Sequence, residues 1–163
     1  MPRALYELRN DALFIDLARL KLSASPGGMG YSLGLKNMFG LIPEPDRSDY
    51  HRNLPQSILD ANLIYHALFD VVVVCEGLEN VIVYRDDGAC KAPWGAYDIE
   101  YRHRGLVVVG SNPLEVDAVA ASLFGVDISV RALLQEAARF FPAYSEQAVG
   151  RARAFGREHG LFL

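Results

Sequence analysis

Lys36 and Asn37 set a charge and an amide side by side in a segment that is otherwise apolar, between Leu33, Leu35, Met38 and Phe39. An ammonium in that position holds an anion if it faces a cleft. If it does not, the stem lies along apolar surface and the head reaches water. Asp117 is flanked by Val116, Ala118, Val119 and Ala120. A carboxylate among small apolar neighbours needs a partner, and three roles are open to it: bracing a nearby loop, ligand or general base. Glu76 follows the apolar run 71–75 and reads as a general base, a metal ligand or an ordinary loop residue. His51 lies in a polar loop and is freer to move a proton than His66, which sits in a helical stretch and reads as structural. Ser111 and Asn112 occupy a strand-to-helix junction and are ligand-binding candidates. No HExxH, nucleophile elbow or Ser/His/Asp order is present. Local motifs therefore assign no reaction.

Other chemistries fail on spacing. Gly27, Gly28 and Gly30, with Gly34 and Lys36 beyond, have a phosphate-loop flavour. Leu35 separates Gly34 from Lys36, however, and Asn37 stands where Ser or Thr is required. The dinucleotide fingerprint also misses by one residue. Cys75 and Cys90 form no CxxC pair, so a zinc or iron–sulfur site built from this chain is not expected and no metal ligands are assigned. Cys75 ends an apolar run and reads as a small buried hydrophobe. Nothing in the sequence names a cofactor.

The elements that position these residues follow from periodicity. Residues 13–17 read as a strand, and residues 31–39 have helical spacing that Gly40 would end. Asn53 fits an N-cap with Pro55 in the first turn of a helix over 57–69. Residues 71–75 and 106–109 are continuous apolar runs, as strands covered on both faces would be, and 80–84 is a weaker strand. Residues 86–95 read as a loop. Asn112, Pro113 and Glu115 fit a capping box opening a helix that Gly125 ends. Helices near 130–140 and 145–158 follow, separated by Pro142. The expected fold is α/β, a mixed or mostly parallel sheet with helices on both faces. Ligands in such folds sit at strand carboxyl ends. That points to Cys75-Glu76-Gly77 and to Gly110-Ser111-Asn112.

Length and charge set the frame. The chain has 163 residues, suiting one domain over 1–163, with 51% hydrophobic and 22% charged residues. A net charge of -4 and a pI near 5.5 argue against nucleic acid as a partner. No apolar run approaches the ~20 residues of a membrane-spanning helix. The N-terminus lacks the apolar core of a signal peptide, and the cytoplasm is the expected location.

Three segments together resemble the domain of unknown function 362 family. They are residues 33–43 with His51 beyond, residues 71–77, and residues 107–121 ending at Gly125. The resemblance covers roughly 13–127 and implies the carboxyl-terminal half of the family's fold. Family members usually carry Lys-x-His where Lys21 is followed by Leu22 and Ser23, Asp where Cys75 stands, and Asp where Asn112 stands. They are commonly about twice as long, some with a ferredoxin-like cysteine-rich segment. Lys36, Asn37, His51, Ser111 and Asp117 are retained. A half-length, partly neutralised copy implies apolar surface that a partner protein chain covers. The first expectation is thus a small or accessory subunit of a hetero-oligomeric metabolic enzyme, with specialised-metabolite biosynthesis one setting for it. A self-sufficient small-molecule enzyme and a non-enzymatic ligand-binding module are the alternatives.

Overall fold

A computed structural model describes residues 1–23, 31–79, 81–85, 98–102, 105–129 and 131–162. In chain order the elements are α1 (Arg3–Glu7), β1 (Leu13–Arg19), β2 (Lys21–Ser23), β3 (Tyr31–Ser32), α2 (Gly34–Asn37), 3-10 turns over Met38–Leu41 and Asp49–Asn53, and α3 (Leu54–Leu68). They continue with β4 (Asp70–Gly77), β5 (Val81–Arg85), β6 (Asp98–Arg102), β7 (Leu106–Gly110), α4 (Pro113–Leu123), α5 (Ala132–Ala137) and α6 (Glu146–Glu158). Cys90 and the glycines at 27, 28 and 30 lie outside the described residues, as does the loop expected over 86–95.

The class is α/β with a mixed sheet and helices packed around it, as the sequence predicts. Three strands form one sheet in the order β1-β4-β7, and four form a second in the order β3-β2-β5-β6. β1 and β4 are parallel, with Asp16 beside Val73 and Arg19 beside Glu76. The parallel pairing continues past a one-residue break at Leu20, whose N–H donates to the Glu76 carbonyl at 2.8 Å, into β2 and β5.

β7 departs from a parallel sheet, because it runs antiparallel to β4 with Val73 beside Gly110 and Glu76 beside Val107. Gly110 therefore lies opposite the middle of β4, while Glu76 lies near its carboxyl end. The two candidate ligand sites do not share an edge.

Alternation along the strands turns Phe14, Asp16 and Ala18 of β1 and Val71, Val73 and Cys75 of β4 inward, where α2, α3 and α4 pack. The core there holds Leu33, Leu35, Met38, Ile58, Leu59, Leu114 and Phe124. The two faces are covered unequally. On the second face Leu13, Ile15, Leu17, Val107 and Val109 are 58%, 59%, 62%, 45% and 59% exposed, and Val72 and Val74 between them are half-buried. The expected covering of the apolar strands is thus realised on one face.

Local signals place the helices. Asn112 Oδ1 accepts the Leu114 N–H at 3.1 Å and opens α4, with Pro113 at its first position. Gly125 closes it at φ 74. Glu115 does not complete a capping box, since its Oε1 accepts the Ser145 N–H at 3.2 Å. Asn53 precedes α3 without a side-chain cap. The helical spacing over 31–39 resolves into β3, the short α2 and a 3-10 turn. α4 and α6 approach so closely that a Cβ on Gly156 would meet the Leu123 carbonyl oxygen at 1.8 Å. Among the described residues no helix is long and apolar enough to cross a membrane.

Candidate functional site

The short helix α2 sits on β1 and β4 within a network of polar groups, most of them buried. Gly34 N–H donates to Asp117 Oδ1 at 2.9 Å and Leu35 N–H to Asp117 Oδ2 at 3.2 Å. From the other side Asn62 of α3, fully buried, donates to the Leu35 carbonyl at 2.7 Å and to the Ile58 carbonyl at 2.8 Å. Asn37 Nδ2 donates to Asp16 Oδ1 at 2.6 Å and to the Leu17 carbonyl at 3.2 Å. Buried polar groups need such partners. A four-residue helix is too short to hold itself together, so these side chains stand in for its missing turns.

Gly34 is required by the closeness of this packing. A Cβ there would lie 2.3 Å from Val73 Cγ1, 3.2 Å from Asp117 Oδ1 and 3.4 Å from Asp16 Oδ2. The two carboxyl groups thus crowd one backbone position. Burial raises the Asp16 carboxyl from 3.8 to about 6, and the Asn37 amide draws it back. Burial also pushes Asp117 well up, its two N–H donors oppose the push, and Asp16 adds to it. Asp16 Oδ2 is buried with no hydrogen-bond partner. The Cys75 thiol, fully buried beside this pair, is pushed far up by burial and by Asp117. It stays protonated and is a poor nucleophile.

The predicted site residues divide into separate places. Lys36, Asn37 and Asp117 belong to α2 and its brace. Asp117 is closed from solvent with both oxygens engaged, so of its three readings the brace matches the geometry. Glu76, next to the last residue of β4, accepts from Arg19 Nε at 2.9 Å and from the Leu78 N–H at 3.2 Å, which lowers its carboxyl. His51 lies in the second 3-10 turn, its ring edge-on to Phe39 at 5.2 Å and its Nδ1 2.8 Å from the Arg47 carbonyl. Ser111 and Asn112 line a shallow cavity of about 360 Å³ with Gly110, Glu115, Val116 and Val119. The Asn112 amide there is taken up by the Leu114 N–H and by the Pro142 carbonyl at 2.8 Å. The structure thus brings Lys36, Asn37 and Asp117 together around α2 and sets Glu76, His51 and the Ser111–Asn112 pair on other elements.

Asp16 and Asn62 join the network only in the folded structure. Both leave a signal in the sequence. Asp16 is the one charged residue at an inward position of β1, and Asn62 is the polar residue on the inner face of α3 between Leu59 and Tyr65. Among the described residues, no three His, Cys, Asp or Glu side chains are arranged to hold a metal ion.

A family model described as Domain of unknown function (DUF362) matches residues 6–122. No curated protein and no solved structure matches the chain. The match runs from within α1 to nearly the end of α4, and so takes in the whole α2 network, all the described strands and the open sheet face. On that match the chain belongs to the DUF362 family, whose common function its own description leaves open.

Proposed function

We propose that this chain is a small or accessory subunit of a hetero-oligomeric metabolic enzyme, docked by its open sheet face on a catalytic partner whose pocket it stabilises or completes. The observation behind the reading is the row of exposed Leu13, Ile15, Leu17, Val107 and Val109. A contiguous apolar patch of a few hundred Å² on a protein exterior is often functional.

The size of the face bears on what covers it. Three strands about 4.8 Å apart and five to eight residues long make a footprint of roughly 300 Å². A stable interface takes about 800 Å² from each partner. An identical small face from a second copy falls short of that. A larger chain, laying amphipathic helices across the sheet and reaching past its rim, supplies both the missing layer and the missing area. Arg19 and Glu76, paired at 2.9 Å at one end of the face, form a polar rim. The self-sufficient enzyme draws less support, because its Asp117 is engaged by Gly34 and Leu35 and closed from solvent.

The test is coexpression with the chain encoded beside it, followed by size-exclusion chromatography with light scattering. A stable heteromeric complex is expected, and Leu17→Lys/Val109→Lys should abolish it. A monodisperse monomer at tens of micromolar that captures no neighbour and is indifferent to the double substitution overturns the proposal. So does a homodimer.

A further inference from the structure

The chain has three lysines, and the fold brings two of them together. β2 and β3 pair antiparallel with Lys21 beside Ser32, and β2 and β5 pair parallel with Lys21 beside Ile82. Two residues after Ser32 the chain enters α2, whose third residue is Lys36. The brace from Asp117 and Asn62 fixes that helix, and so fixes where Lys36 emerges.

Both lysines are half-buried. Lysine side chains are ordinarily among the most exposed in a protein. Burial holds the Lys36 ammonium below its ordinary range, and the neighbouring Lys21 charge holds it down further. Neither lysine has an ion-pair partner among the described residues. The acids of the neighbouring elements accept from other groups, with only one Asp16 oxygen left without a partner. Glu76 accepts from Arg19 and Leu78, Asp16 from Asn37, and Asp117 from Gly34 and Leu35. Two like charges side by side, that of Lys36 drawn from water and neither with a counter-ion, are unfavourable alone and favourable around a bound anion.

We infer that Lys21 and Lys36 form a binding site for the phosphoryl group of a small molecule, at the carboxyl edge of β1 and β4. The partner's chemistry follows from the donors. Planar carboxylates are matched by the fork of an arginine, whereas lysine ammoniums act as compact point charges that suit a tetrahedral dianion. The position agrees with the general placement of ligands outside strand carboxyl ends in α/β sheets. The inference stands apart from the docking of the open face, since it concerns Lys21 and Lys36 and not the apolar row.

Inorganic phosphate is the probe, titrated into the full chain by calorimetry at low ionic strength, with succinate as the planar dicarboxylate comparison. Saturable 1:1 binding of phosphate is expected, weakened at least tenfold by Lys21→Met or by Lys36→Met and unchanged by Arg3→Met on α1. Methionine keeps the aliphatic stem, and circular dichroism checks the fold of each variant. A second measurement needs no variant: phosphate should protect Lys21 and Lys36 of the natural chain from acetylation while leaving the Met1 amine reactive. Absence of saturable binding overturns the inference. It is also overturned by binding that survives Lys36→Met, by succinate binding more tightly than phosphate, or by uniform protection of all amines.

Discussion

At the scale of single residues, Gly34 and Asp16 bear the tightest constraints. Gly34→Ala forces a Cβ to within 2.3 Å of Val73 Cγ1, so α2 must lift from the sheet and strain its bonds to Asp117. A loss of about 3 kcal/mol in stability is expected, at the upper end for overpacking, because bonding of buried groups is disturbed as well. Urea unfolding reads it, and a loss below about 1 kcal/mol shows that α2 shifts freely. Asp16 makes a prediction about pH. Its folded carboxyl sits at about 6 against an ordinary 3.8, so the folded chain holds the proton more tightly than the unfolded chain. The stability this contributes is complete below pH 3.8 and disappears as pH climbs through about 6. Its size is about 3 kcal/mol. Asp16→Asn should remove that share of the pH dependence, leaving a flatter stability profile between pH 4 and pH 7. Matching slopes in the two proteins contradict the assignment.

At the scale of elements, α4 connects the parts of the molecule. Asn112 opens it, Asp117 reaches from its second turn to α2, and Leu123 meets Gly156 of α6 at its end. Asn112 also donates to the Pro142 carbonyl ahead of α6, and Glu115 accepts from Ser145 there. One side chain thus caps one helix and steadies the approach to the next. Asn112→Ala should cost about 1–2 kcal/mol, more than a cap alone because the Pro142 contact goes with it. Hydrogen exchange should quicken at Leu114 and also at the start of α6. Faster exchange confined to α4 removes the second role.

At the scale of the whole molecule, the three-stranded sheet has one face in the core and one face open. Among the described residues its outer strands β1 and β7 are also sheet edges. Exposed apolar edges invite pairing with other chains, which gives the open face two routes to a partner, across the face and along the edges. Leu17→Lys and Val109→Lys lie on the exposed side and touch no core residue's inward face, so the isolated chain should keep its stability to within about 0.5 kcal/mol. Loss of the complex with unchanged stability then locates the interface. Loss of both indicates that these positions serve the fold.

The sequence on its own determines β1, β4, β7, α3, α4 and α6 to within a few residues, because each announces itself locally. The strands are short apolar runs, and the helices carry a Pro, Asn or Ser at the start or a Gly at the end. It also determines that Asp117 needs a partner, since its neighbours are small and apolar, while it leaves Lys36 open between a cleft and solvent. α1 and β6 are too short and too polar for either period to stand out. Tertiary structure alone decides the rest. The direction of β7, the meeting of Lys21 with Lys36, the convergence of Asp16, Asn62 and Asp117 on α2, and the uncovered sheet face are pairings between residues far apart in the chain. Local periodicity says which face of an element is apolar. It does not say which neighbour, from this chain or another, comes to lie on it.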